Sequence, residues 1–432
     1  MSFLKKIQLL LYSAILFIAC SQGSGSGNQK KNTETDSTSY HEIEPGIVSA
    51  ADFKKYYDAA NGFYDTNLVA RGFNGAILVA KNGRIIFEKY HGYFDLDKKD
   101  TLNQHSAFHI ASITKTFTAM AILKLAEQGK LKLDDDVIWY FPKFPYNGIT
   151  IKMLLNHRSG LPNYLYFMDK LGWDKTTFCD NKDVLNYLIT HQPPIARQPD
   201  THFSYCNTNY SLLGLIIEKA SGKSYAEYLQ QTFFAPLKMH DTYVFSLADS
   251  QRIMPSYNWR GKREGLTFLD KGYGDKNIYS TPRDLLKWDQ ALYNNQLFTQ
   301  ETLETAFKPY SNEKPGIRNY GFGWRMNIYP NGKKIIFHGG WWHGNNTMLM
   351  RLIPDSATII ILGNKFNRNV YEAKKLANSF SPYFDIDEIE RPEMKEATSI
   401  SEAHDSLLKN KLTSSNITNK GTHLKKKNNL KR

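Results

Sequence analysis

Strand-forming runs stand at the two ends of the globular part of this chain, and the long stretch between them carries only helical patterns. The first two, GAILVA and IIFEKYHGYF, flank Lys81-Asn82-Gly83-Arg84. An Asn-Gly pair between apolar runs is the signal for a two-residue hairpin. Strand patterns return only at YGFGWRMNIY, KKIIFHG, TMLMRLI and ATIIILGN. Between the two blocks the apolar spacing predicts helices over 113–128, 184–190, 210–220, 225–233 and 282–294. A helix over 51–69 precedes the first strand, and one near 370–380 follows the last. Strands, then helices, then strands imply one sheet interrupted by a helical insertion, an α/β chain of the α+β type. No internal repeat or second linker divides residues 49–390, so they read as one unit.

The ends are of another character. Residues 1–20, MSFLKKIQLLLYSAILFIAC, place two lysines before an apolar run too short to span a bilayer, which is the pattern of a secretion signal. The run closes on Phe17-Ile18-Ala19-Cys20, which resembles a bacterial lipoprotein cleavage site with Phe17 where leucine is usual; Cys20 would carry the lipid. Plain signal-peptidase cleavage is the alternative. Residues 21–48 are a polar tether, as an anchored protein needs. The expectation is an exported, membrane-anchored protein at the periplasmic or cell surface. In such a compartment Cys179 and Cys206 could pair. The formal charge of +13 suggests nucleic acid until it is located. Residues 391–432 hold ten Lys/Arg against four Asp/Glu, a basic and disordered tail, and Lys5 and Lys6 lie in the signal. Without a helix-turn-helix, zinc-finger or aromatic-basic sheet pattern, no nucleic-acid partner is expected.

Three short patterns can carry chemistry. Ser112-Ile113-Thr114-Lys115 opens ITKTFTAMAILKLAEQ, a helix so apolar that it must be buried on most sides. A serine there faces the positive end of the helix dipole, and a lysine three residues on lies one turn away on the same face. Ser-x-x-Lys also occurs from Ser2, Ser311 and Ser406, none at the start of a buried helix. Taken alone, Ser112 reads equally well as a helix cap. In Tyr205-Cys206-Asn207 an extended segment precedes a helix, so the phenol and the carboxamide point one way and the thiol the other, into packing. His338-Gly339-Gly340-Trp341 ends the strand KKIIF, where Gly340 would let a substrate backbone approach an edge strand. The pairs His105/His109 and His338/His343 lack the glutamate of H-E-x-x-H, so no metal is assigned to them.

In this order the three patterns resemble those of the serine β-lactamase and penicillin-binding superfamily, most closely its class C-like branch of D-aminopeptidases, DD-carboxypeptidases and esterases. GAILVAKNGRIIFEKYHGYFD, ITIKMLLNHRSGLP, NIYSTPRDLLKWDQAL and YGFGWRM also look like family segments, so the resemblance covers residues 50–380. It implies an antiparallel sheet flanked by N- and C-terminal helices, a serine hydrolase without cofactor or metal, and a small-molecule or peptide acyl substrate. Residue by residue, it implies Ser112 as nucleophile, Lys115 as its partner, Tyr205 as general base and later acid, and Asn207 as a binder of the substrate amide. The N–H groups of Ser112 and Trp341 would form the oxyanion hole, with His338 and Gly340 lining the substrate. The chain departs from the pattern where β-lactamases have Lys-Thr-Gly: it has His338-Gly339-Gly340. A neutral imidazole is a weak receptor for a penicillin carboxylate, which favours peptide or ester hydrolysis. The alternative is a sensor or scaffold that binds penicillin-like or cell-wall ligands with little turnover. Two aromatic segments, 164–173 and 257–273, are read as loops shaping the pocket. Substrate identity and oligomeric state are not written in the sequence.

Overall fold

The structure, a computed structural model, describes residues 44–293 and 295–384. The signal segment, Cys20, most of the tether and the basic tail lie outside the described residues.

The main sheet joins the two ends of the chain. Strands β1 (Gly75–Lys81) and β2 (Arg84–His91) form the expected hairpin, with Asn82 at φ +52° and Gly83 at φ +74° in its turn. Later come β3 (Arg318–Tyr320), β4 (Arg325–Ile328), β5 (Lys334–Trp342), β6 (Asn345–Leu352) and β7 (Ala357–Gly363). The order is β3-β4-β5-β6-β7-β1-β2, antiparallel throughout. β1 pairs with β7 from Gly75↔Gly363 to Lys81↔Ala357. This pairing closes the sheet around the helical insertion.

Both faces are covered, as the near-continuous apolar runs of β1 and β7 require. Ile77, Val79, Ile335, Met348 and Ile359 pack with Tyr56, Ala60 and Phe63 of α1 (Ala50–Phe63) and with the C-terminal helical segment. Ala76, Leu78, Ile336, Leu349 and Ile360 face the insertion. The C-terminal segment was expected as one helix. It is a 3₁₀ run over Arg368–Leu376 followed by a single α turn, Ala377–Phe380. Its buried residues Val370, Ala373 and Leu376 recur every three positions, which suits three residues per turn rather than 3.6.

The insertion is built on α2 (Thr114–Glu127), buried at every position from Thr114 to Leu123 and ended by Gly129 at φ +67°. Against it lies α4 (Asn207–Ser221), and α3 (Asn181–His191) covers α4. α5 (Pro282–Ala291) starts on a Thr281 cap with Pro282 in its first turn and packs against β7. Two expectations are corrected. YGFGWRMNIY is not one strand but the β3–β4 hairpin: a Cβ on Gly321 would lie 2.3 Å from the Ala306 carbonyl oxygen, and one on Gly323 2.7 Å from that of Lys115. Residues 164–170 are a helix capped by Asn163 rather than a loop.

Candidate active site

The turn before α2 carries backbone strain. Ala111 has φ +49°, a left-handed conformation that a residue with a side chain adopts at a cost, and it immediately precedes Ser112. Four contacts hold it. The Ala111 N–H donates to His109 Nδ1 (3.1 Å), and the Ile110 N–H donates to the Ile278 carbonyl (2.9 Å). Thr347 Oγ1 donates to the Ile110 carbonyl (2.9 Å), and the Ile113 N–H returns to the same oxygen (3.2 Å). Ser112 therefore sits in a short 3₁₀ turn, Ala111–Ile113, ahead of the α-helix, and Ile113, not Ser112, stands at the helix cap position. The capping role that Ser112 could have had is absent: its hydroxyl accepts from Lys115 Nζ at 3.1 Å.

Lys115 is fully buried. Besides Ser112 Oγ, its ammonium donates to Asn207 Oδ1 at 2.8 Å and to the Asp275 carbonyl oxygen at 2.7 Å. An ammonium has three N–H donors, and here three uncharged acceptors take them. The rings of Tyr205 and Tyr210 lie 5.1 and 5.6 Å from Nζ.

Tyr205 and Asn207 arrive as the extended reading requires. Cys206, at φ −141°, ends the extended segment and α4 begins at Asn207. Asn207 turns to Lys115, whereas the Cys206 thiol is buried toward the Leu161 and Pro162 carbonyls (3.3 and 3.6 Å). Burial pushes that thiol up to about 11 and the Cys179 thiol up to about 12. Both cysteines are free, so the disulfide that the compartment would permit is not formed.

His338 and Gly340 keep their place on β5 but do different work from that expected. β4 pairs with β5 only as far as Phe337, so residues 338–342 are open on that side. The His338 imidazole, however, is fully buried: Nδ1 bonds the Gly339 carbonyl at 2.8 Å and Nε2 meets the Tyr320 hydroxyl at 3.2 Å. Burial first, then Arg325 and Lys115, holds its protonation well below the usual imidazole range. With both nitrogens engaged inside the protein, this neutral ring offers no N–H to a substrate. Gly340 serves the turn: a Cβ there would lie 2.3 Å from Thr347 Oγ1, 2.5 Å from the Ile110 carbonyl oxygen and 2.9 Å from Ala111 Cβ. Trp341 follows directly, its indole N–H donating to the His343 carbonyl at 2.8 Å. The histidines named as metal candidates separate: His105 pairs with Asp241 at the surface and His343 with Asp270 (3.0 Å), while His109 is buried against Asn277 (2.7 Å).

Several contributors carried no readable signal. Asp275 acts through its backbone oxygen, which any residue type supplies. His109 and Asn277 support the strained turn from distant segments. Arg325 lies with its guanidinium 4.7 Å from the Tyr205 ring centroid, a second cation on that phenol. The tract YGFGWRM, which contains Arg325, stands out in the sequence, but its β3–β4 turn does not, so the direction of the side chain is not legible there.

The family description "Beta-lactamase" matches residues 64–381. Penicillin-binding protein 4* of Bacillus subtilis (strain 168) is 34% identical over 316 residues, covering 69% of this chain and 70% of that protein. Protein flp of Staphylococcus aureus (strain MRSA252) is 30% identical over 308 residues, which span 67% of this chain and 59% of that one. Among solved structures, a penicillin-binding protein from Bacillus halodurans superposes with TM-score 0.65 at 23% identity, covering 73% of this chain and 98% of that chain. The D-amino acid amidase of Ochrobactrum anthropi SV3, complexed with D-phenylalanine, superposes with TM-score 0.62 at 23% identity, covering 75% and 98%. The family match spans both the sheet and the insertion that carries the Ser112–Lys115 turn, and the chain belongs to the β-lactamase/transpeptidase-like superfamily of serine hydrolases.

Proposed function

We propose that this protein is an exported serine acyl-hydrolase that cleaves amide, peptide or ester bonds through an acyl-enzyme on Ser112. The observation that carries the reading is the Lys115 ammonium, buried and shared between Ser112 Oγ, Asn207 Oδ1 and the Asp275 carbonyl. It brings the two sequence patterns to one point. In the proposed cycle Tyr205 takes the Ser112 hydroxyl proton as Oγ attacks the acyl carbon, and returns it to the departing amine or alkoxide. Water then attacks the ester with Tyr205 again as base, releasing the acid and free Ser112. Lys115 and Arg325 stabilise the negative charge that passes through the phenol oxygen. The N–H groups of Ser112 and Trp341 receive the oxyanion, with Asn207 beside the substrate amide. No step calls for a metal or a cofactor.

The substrate class follows from what surrounds the cleft. His338 is neutral and turned inward, so the strand position that would present a cation to a penicillin carboxylate presents none. The similarity to a D-amino acid amidase and to penicillin-binding proteins supports acyl compounds of the peptide type. Incubation with a serine-directed phosphonate followed by mass spectrometry should give one adduct, on Ser112, absent from Ser112→Ala. An adduct on another residue would overturn the assignment. Wild-type protein should also turn over a p-nitrophenyl ester faster than nitrocefin; nitrocefin turnover near 10³ s⁻¹, roughly the upper end of common enzyme rates, would restore a β-lactamase role.

A further inference from the structure

One residue of the site is named by none of the three sequence patterns. His157 follows the short helix Ile151–Leu155 and holds φ +58°, left-handed for a residue with a side chain. It is fully buried. Its carbonyl oxygen accepts the Ser204 N–H at 2.8 Å, and its ring Nδ1 accepts the Cys206 N–H at 3.2 Å. In an extended segment the N–H groups of residues two apart point the same way. His157 thus takes the backbone donors on both sides of Tyr205, while its imidazole lies 4.4 Å from the Tyr205 ring. Tyr210 and Tyr320 complete the cage at 5.1 and 4.9 Å.

The tautomer follows from the partners. A backbone N–H can only donate, so Nδ1 must carry a lone pair. Asn209 agrees: its Oδ1 accepts from Ser159 Oγ at 2.6 Å, which leaves its amide nitrogen to approach Nδ1 at 3.3 Å. The proton of the neutral ring is then on Nε2, a buried nitrogen without a hydrogen-bond partner among the described residues. A second proton would have to enter on Nδ1, against the Cys206 N–H. It would also add a cation to a site that already holds Lys115 from α2 and Arg325 from β4, with His338 of β5 close by. Burial and those charges hold the ring neutral well below the ordinary histidine range.

We propose that His157 is a positioning residue that clamps the backbone on both sides of Tyr205 and so sets the phenol against Ser112 and Lys115. The proposal rests on the reading of Tyr205 as the general base. It gives a reason for a neutral imidazole in this place: asparagine can adopt the left-handed backbone, but only an aromatic ring with an acceptor at Nδ1 both grips Cys206 and supports the phenol.

The test uses the full chain with a p-nitrophenyl ester, in wild type, His157→Phe, His157→Asn and each of these combined with Tyr205→Phe. His157→Phe keeps a ring and loses the acceptor. It should lower kcat/KM roughly tenfold or more and displace the limb of the pH–rate profile that disappears in Tyr205→Phe, whereas His157→Asn should recover part of the loss. In the Tyr205→Phe background both His157 substitutions should change the rate less than about twofold, because a residue acting through Tyr205 has nothing left to act on. Equal losses in both backgrounds would show a merely structural role and overturn the proposal. A Tyr205→Phe enzyme as fast as wild type would instead overturn the general-base reading beneath it. Should the His157 variants not fold, ¹⁵N NMR of the wild-type histidines decides: Nδ1 of His157 must remain unprotonated from about pH 5 to about pH 8, and a protonated Nδ1 in that range sinks the clamp.

Discussion

Two buried histidines brace the site in the same way: each accepts a backbone N–H at Nδ1. His109 holds the strained Ala111 turn, and His157 holds the Tyr205 segment. Such rings contribute to stability only while neutral. Burial lowers the His109 ring to about 4, below the usual value near 6.5. The unfolded chain therefore binds more protons than the folded one between about pH 6.5 and about pH 4, and stability must fall as pH falls through that window. His109 accounts for about 3 kcal/mol of the loss at most, and His157 and His338 shift in the same direction. Thermal unfolding followed from pH 7 to pH 4 should show a steep drop in Tm, shallower in His109→Gln; an unchanged slope in that variant would refute the account. His338→Lys follows the same logic. It would bury an ammonium beside Arg325 and Lys115, so a lower Tm is expected rather than a new receptor for a substrate carboxylate, and calorimetry separates the two.

Elements meet at the site through glycine. The strand end 338–342 and the Ser112 turn approach so closely that Gly340 has no room for a methyl group, and Gly323 is pressed in the same way on the backbone of α2 at Lys115. Overpacking a tight contact costs about 1–3 kcal/mol, and at Gly340 the obstacles include the Ile110 carbonyl, which cannot swing aside as a side chain can. Gly340→Ala is therefore expected to lower Tm and, by displacing Ala111, to slow Ser112 labelling by the phosphonate well beyond the change in folded fraction. Labelling at the wild-type rate in the folded variant would show that the turn does not depend on this contact. The substitution distinguishes a glycine kept for the fold's own packing from one kept for an incoming substrate.

At the scale of the whole molecule, the place where the chemistry occurs is proposed to depend on the N-terminal segment. No helix among the described residues is long and apolar enough to cross a membrane. Attachment is proposed to rest on a lipid at Cys20, and Cys20→Ala should move the protein from the membrane fraction to the soluble fraction or stall its processing; unchanged detergent partitioning would end the lipoprotein reading. The order of strand and helix patterns by itself determined the interrupted sheet, because alternation and helical periodicity are local properties. The Asn82-Gly83 hairpin and the burial of α2 were legible for the same reason. So were the two patterns that carry Ser112, Lys115, Tyr205 and Asn207, since their spacings act within one turn or one extended segment. The sequence could not reveal that β1 pairs with β7, which bridges the two ends of the globular chain. Nor could it show that the third acceptor of Lys115 is a backbone oxygen, that His338 faces inward, or that His109 and His157 brace the two reactive segments. These contacts join residues far apart in the chain through backbone groups that every residue shares, so only the tertiary structure could select them.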